Sequence, residues 1–459
     1  MNHQRPLLKY TRLFVLALSW TAAMVRAGNY AAGPGSTATG GDSTAVGTNN
    51  TASGPGGSTA VGYRNTASGS NASAVGFENN ANGPSSSAVG IYNIASELAA
   101  SAFGFGNEAQ GEDSSALGRS NKATAIGSTA VGHFNTAEGS YSTAVGSGNT
   151  ASADVANAIG RNNDAKGWGA NAIGEANDAS GFRSNAFGSY NRSMGAYSTT
   201  VGALNEALGI ASFAAGTVSL AWGSDSLAIG NSAYAQSDRS IAIGFNANAV
   251  SADSVAIGSN AVAFSSVAVG AGAQALGAAT TAVGDNAVAL GANSVALGAD
   301  SVATEPNTVS VGAPGSERRI TNVAPGVDPT DAVNKAQLDA VHARVTRLSR
   351  RVDGLEARVE ANTAAIQALD QRLGEVKAKA YSGVAAAAAL DALVEPSAPG
   401  RTSVNAGVAF YEGESAVGVN VTHQIGRPQL VDRKIYVNGG VSVTSENTVL
   451  SRALVGFEF

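Results

Sequence analysis

The chain reads as an all-β solenoid head, a coiled-coil stalk and four membrane β-strands that one copy cannot close into a barrel. Three observations predict this order: a glycine recurring every fourteen residues, a 3-4 spacing of apolar residues unbroken over six heptads, and four C-terminal segments alternating apolar with small or polar side chains.

Composition narrows the function classes. Of 459 residues 57 are glycine and only 14% are charged, with Ala, Ser, Asn and Thr filling most of the rest. So little bulky apolar area leaves a chain disordered unless a repeat stacks it, because ordering each residue costs conformational entropy. The net charge of −6 excludes a nucleic-acid partner, since phosphate binding needs a basic stripe. Cysteine is absent, which removes disulfides and thiolate chemistry. Arg5, Lys9 and Arg12 precede an apolar run from Leu13 to Val25, followed by Arg26 and Ala27; this is the pattern of an export signal over residues 1–27. The run is shorter than the ~20 residues of a membrane helix.

Gly62, Gly76, Gly90 and their successors through Gly258 lie fourteen residues apart. The interval from Gly47 is fifteen, that to Gly270 is twelve, and the spacing halves at Gly284, Gly291 and Gly298. The irregular spacings at Gly270 and Gly291 predict local distortion. In Ser240-Ile241-Ala242-Ile243-Gly244 bulky and small residues alternate with strand periodicity. Fourteen residues are too few for a helix pair, so each unit is a coil of two short strands and two tight turns around a thin core of Val, Ile, Leu and Ala. Stacked at ~4.8 Å per coil, Gly47 to Gly312 makes a rod of roughly 90 Å. Asn stands three places after the glycine from Asn50 to Asn205, a ladder read as scaffold because Asn amides pair with the copies above and below. The two places between glycine and asparagine vary, and include Tyr63, Arg64, Phe77, Tyr92, His133, Phe134 and Tyr190. Aromatics and Arg on an exposed turn suit protein binding; a tolerant solvent-facing corner is the plainer alternative.

Residues 28–304 are thus the head and residues 305–337 an adaptor between a wide solenoid and a narrow coil. Over residues 338–380 Leu338, Val345, Val352, Val359, Ile366, Leu373 and Ala380 fill one seam position and Val341, Leu348, Leu355, Leu369 and Val376 the other. Asn362 interrupts this seam; a polar core residue sets register and oligomer number, and several inward amides suit an anion such as chloride. Residues 381–459 hold a small-residue helix, Val384 to Leu393, beside Gly383, then strands at 402–411, 414–423, 434–444 and 449–459. Val and Phe residues ending in Phe457 and Phe459 face lipid. Four strands leave an open edge whose amides lipid cannot satisfy. Two chains make eight strands, whose interior side chains already fill; three make a 12-stranded barrel that admits three helices, with Gly383 and the following alanines allowing close packing.

These residues resemble the trimeric autotransporter adhesins, the YadA-like family of type Vc secretion: Ser240 to Gly244 and its repeats match the head motif, 307–338 the neck, Asn362-Thr363 with Ile366 the polar stalk layer, and 381–459 the anchor. The resemblance implies a left-handed parallel β-roll, a homotrimer, a chloride-binding layer at Asn362, and insertion in the outer membrane by its barrel assembly machinery. It also implies attachment to host cells or to matrix proteins such as collagen, fibronectin or laminin, with autoaggregation, biofilm or serum resistance as the alternative. No catalytic site, metal site or further cofactor is expected, because His3, His133, His342 and His423 lack metal-ligand spacing and no nucleophile motif accompanies them.

Overall fold

A computed structural model describes residues 28–391, 393–425 and 434–458; the proposed export signal and Phe459 lie outside the described residues. The chain divides into two compact units, the first ending at Arg319 and the second beginning at Ile320.

In the first unit each coil contributes a long strand, such as Thr59–Tyr63, and a short one, such as Thr66–Ala67. Both pair in parallel with their counterparts one repeat later: Ala60 with Ala74, Gly62 with Gly76, Thr66 with Asn80. Among the described residues 21 long strands form one sheet. The expected distortion is absent. Gly47 still pairs with Gly62 and Val255 with Val267, so the corners absorb the extra and missing residues. Val283 pairs with Leu297, one full coil away; Gly291 belongs to the second corner, so the halved spacing is a corner glycine and the coil keeps its length.

The core differs from expectation in one respect. Ala60, Ala67, Ala74 and Ala81 are fully buried, whereas Val61 and Val75 alternate outward and stay half-exposed. The interior accepts a methyl group from each strand, and the bulky half of the alternation faces away. Buried Asn fills the remaining width. The Asn65 amide donates to Asn50 Oδ1 at 3.0 Å, to Val61 O at 2.9 Å and to Gly76 O at 2.6 Å. Its Oδ1 accepts from the backbone and side-chain nitrogens of Asn79 at 3.1 and 2.9 Å. This pattern repeats to Asn205, which passes the ladder to Ser219 at 2.8 Å; Ala233 and Ala247 occupy the place thereafter, fully buried. The ruler glycine is required by space as well as by conformation: at Gly62 φ is +123° and a Cβ would stand 2.0 Å from Gly76 O. The last coil has no successor to pair with, and Arg318 covers it, donating to Ser301 Oγ at 3.0 Å, to Val311 O at 2.8 Å and to Ala299 O.

In the second unit one helix runs unbroken from Lys335 to Ala389. The small-residue segment is therefore its last turns and stops before Leu393, with Leu390 as C-cap. Asn334 and Gln337 form a capping box, and both reach back to the approaching chain, to Val323 O at 3.1 Å and Gly326 O at 3.0 Å. Asp331 accepts from the backbone N–H groups of Val327 and Asp328 at 2.9 and 3.0 Å, which hold its carboxyl below the usual carboxylate range. Strands Thr402–Tyr411, Glu414–Ile425, Lys434–Thr444 and Val449–Glu458 form an antiparallel sheet in sequence order, and among the described residues its first and last strands are unpaired on their outer edges.

Replacing a ladder rung, Asn135→Ala, removes the amide that donates to Asn121 Oδ1, Val131 O and Gly146 O and the oxygen that accepts from the Asn149 amide. A loss of about 2–4 kcal/mol is expected, several buried hydrogen bonds being lost at once, read as a lowered denaturation midpoint of the full-length protein in detergent. The depressed pKa of Asp331 means its contribution is complete above the unfolded carboxylate value of ~3.9 and is lost as pH falls through the lower folded value. Hydrogen exchange at Val327 and Asp328, corrected for intrinsic rate, should therefore accelerate on acidification, and Asp331→Asn should abolish that dependence.

Candidate functional site

The first corner of each coil places its second residue in the left-handed region: φ is +52° at Arg64, +59° at Tyr92, +55° at Phe134 and +55° at Tyr190. The preceding coil fixes this geometry, Arg64 N donating to Thr48 O at 2.9 Å and Tyr92 N to Phe77 O at 3.0 Å. Four of the expected ligand-face residues come together. The Tyr63 and Phe77 rings stack at 5.0 Å and Phe77 meets Tyr92 edge-on at 5.5 Å, while the Arg64 guanidinium lies 5.2 Å from the Tyr63 ring and pairs with Glu78 at 3.2 Å. Phe105 extends the row, 5.8 Å from Tyr92; it sits directly after Gly104, a signal that was present in the repeat. His133 and Phe134 form a separate pair at 4.1 Å, and Tyr190 stands apart from both groups, exposed.

Sequence reasoning missed the second corner. There Trp168 stacks on Phe182 at 5.1 Å, Phe182 meets Tyr197 at 5.4 Å, and the Arg183 guanidinium lies 4.9 Å from the Trp168 ring. Tyr141 is two-thirds exposed. These residues occupy the eighth or ninth place after a ruler glycine, where the same counting would have found them.

On the helix the apolar seam is exposed throughout, from Leu338 to Val376, with Asn362 between Leu355 and Leu369. In the anchor sheet Val404, Val408, Val417, Val419, Val441 and Phe457 point away from the helix and are exposed, with Phe457 opposite Ile435. The inner face is small and polar. Ala385, Ala386 and Ala389 pack against Ala416, Ser442 Oγ donates to Ala386 O at 2.9 Å, and the terminal carbonyl of Leu390 accepts from Asn420 and, at 2.6 Å, from Arg452. The strands rather than Gly383 supply the close approach within one chain: a Cβ on Gly418 would stand 2.8 Å from Ala389 O, whereas Gly383 has open space around it.

Models of known families match in the same order as these elements. The YadA head domain repeat matches 30–50, 38–65, 56–79, 109–135, 137–163, 221–247, 235–261, 261–294 and 289–313; the coiled stalk of trimeric autotransporter adhesin matches 319–361; the YadA-like membrane anchor domain matches 394–459. The chain belongs to the YadA-like trimeric autotransporter adhesins. Its strand sheet is the anchor of this family, in the outer membrane, and its head and stalk are exposed at the cell surface. Autotransporter adhesin EhaG of Escherichia coli O157:H7 is 35% identical over 147 residues, 23% of this chain and 9% of that protein. Trimeric autotransporter adhesin AtaA of Acinetobacter sp. (strain Tol 5) is 32% identical over 116 residues, 25% of this chain and 3% of that protein. The chain thus spans less than a tenth of the length of either relative. Among solved structures, the collagen-binding domain of Yersinia adhesin YadA is 26% identical, covering 51% of this chain and 85% of that one, with a TM-score of 0.16.

Proposed function

We propose that three copies of this chain form a surface adhesin that binds proteins of host cells or extracellular matrix through the head corners, by adhesion and not by catalysis. One observation carries this reading. Left-handed backbone costs an ordinary residue roughly 1–2 kcal/mol, and from Asn246 onward the first corner meets that cost with Asn246, Asn260, Gly272, Asn286 and Asp300. Among the earlier coils Asn49, Gly106, Gly148 and Asn162 do the same, but Arg64, Tyr92, Phe134, Tyr190, Leu204 and Val218 also stand at this place. Bulky side chains kept where turn chemistry disfavours them are consistent with selection for what they display. The stack of repeated corners, tripled in a trimer, supports avidity from weak individual contacts.

The trimeric reading rests on three incomplete surfaces. The seam of the stalk is exposed along its length, the outward Val and Ile row of the long strands runs from Val46 to Leu297, and the anchor sheet has two open edges that lipid cannot satisfy. Neighbouring copies complete all three. The barrel so formed is the proposed export route for the head and depends on the outer-membrane barrel assembly machinery for insertion. At the stalk layer three Asn362 amides, brought to one axis, present N–H donors that fit a chloride ion. The exposed seam position of Asn362 is compatible with that role.

Changing Tyr63, Phe77, Tyr92 and Phe105 together to Ser should reduce attachment of expressing bacteria to matrix-coated surfaces at least about tenfold by loss of multivalent contacts, with the unheated trimer band intact on gels; unchanged attachment would reject the corner assignment. Crystals of the trimeric stalk soaked in bromide should show anomalous density on the axis at Asn362, lost in Asn362→Leu, and an empty axis in the wild type would remove the ion from the proposal.

A further inference from the structure

The short strands present a second outer face, and its chemistry changes partway along the head. In the first coils the outward places are mostly small and polar, Thr51, Ser53, Thr66, Ser68, Asn80 and Asn82 among them, and from Glu108 to Glu206 they carry charges in register: Glu108 lies 3.7 Å from Lys122, Lys166 is 2.5 Å from Asp164 and 3.8 Å from Asp178, and Arg192 is 2.8 Å from Glu206. From Leu220 to Val302 the same places hold no charged residue. They hold Trp222, Tyr234, Val262, Phe264, Leu276 and Leu290 instead, with Trp222 44%, Phe264 48% and Leu290 46% exposed, and Trp222 meets Tyr234 edge-on at 4.9 Å. The buried row changes over the same coils, where the asparagine ladder ends.

We infer that this patch is a contact between heads of different trimers, patch against patch. The inference rests on the trimeric reading above. The long-strand row is apolar over the whole head and suits the contact within a trimer; the short-strand sheet lies on the opposite side of every coil and is left facing outward. Three arguments point to a second copy as the occupant. Chains that each carry a net charge of −6 repel one another, and like-with-like contact is least opposed where the surface is uncharged. The polar residues that interrupt the patch are Gln236, Asn248 and Gln274; Gln236 Nε2 donates to Asn248 Oδ1 at 2.8 Å, and the donors and acceptors these amides have left complement copies of themselves. The seven short strands from Leu220 to Val302, spanning six steps of ~4.8 Å, give a strip about 30 Å long and on the order of 300–400 Å². That is half or less of the ~800 Å² each side of a standard interface buries, which suits contacts that count only when many rods meet.

The test uses the full-length protein displayed on a non-adherent bacterium. Phe264→Lys with Leu290→Lys should slow the settling of a standing suspension at least about fivefold through lost avidity, while the quadruple Ser variant of the first corner settles like the wild type. The unheated trimer band must persist in both, which separates failure of this inference from failure of the trimer. The protein has no cysteine, so Phe264→Cys provides an independent reading. Oxidation of aggregated cells should join trimers into species of twice their mass, and a bulky maleimide should label dispersed cells. Unchanged settling of the double Lys variant, cross-links confined to one trimer, or absence of labelling on dispersed cells would each overturn it.

Discussion

The width of one solenoid coil is the constraint from which the other features of the molecule follow. Its interior takes a methyl group from each strand and the flat amide of asparagine, and nothing larger. Hydrophobic burial scales with apolar area, so a core of Ala60, Ala67 and their repeats supplies little of it per coil. The deficit is met in two ways. Inside, the ladder from Asn50 to Asn205 ties each coil to the next through side-chain and backbone hydrogen bonds in a site sealed from water, where such bonds are costly to lose. Outside, the Val and Ile residues expelled from the interior remain as surface that only another protein can cover.

The same constraint explains why the corners can be used for display. Every first corner from Asn49 to Asp300 is clamped by a backbone hydrogen bond to the previous coil, Tyr92 N to Phe77 O for example, so the stack itself supports left-handed geometry there with side chains as different as Asn49, Tyr92 and Val218. Turn residues are therefore free to be Tyr, Phe or Arg at a tolerable cost. The head uses that freedom unevenly. Its earlier coils hold buried Asn, short strands that are polar and, from Glu108 to Glu206, charged, and corners that mix Asn and Gly with bulky residues such as Tyr92 and Phe134; its later coils hold buried Ala, apolar short strands and, from Asn246 onward, only Asn, Gly or Asp at the first corner. Three independent rows that switch together describe one rod with two surfaces of different chemistry.

Incompleteness recurs in the second unit for a different reason. The helix seam and the two open edges of the anchor sheet are periodic patterns with half of each contact missing. Within one chain the helix end is nonetheless held firmly, because Gly418 and Gly440 let it approach the strands and Asn420 and Arg452 take up the last carbonyl, at Leu390, which a helix end leaves without a partner.

Periodicity made most of the architecture legible before any coordinates. A repeat of fourteen, a repeat of seven and alternation of two each have a single structural solution, and the parallel coil, the stalk helix and the four strands follow from counting residues. The first corner was legible for the same reason, since Tyr63, Phe77 and Tyr92 stand at a fixed offset from glycine. Counting could not decide which half of an alternating strand faces inward: Ala60 and Val61 obey the same period, and only the distance between facing strands puts the alanine inside. Nor could it separate a corner glycine such as Gly291 from a ruler glycine, or bring Trp168, Phe182 and Tyr197 into one row, because those identities depend on which residues lie one coil apart in space. The sequence by itself determined the periods and therefore the elements; the tertiary structure decided the facing, because steric fit across a coil is a property of two strands and not of either one alone.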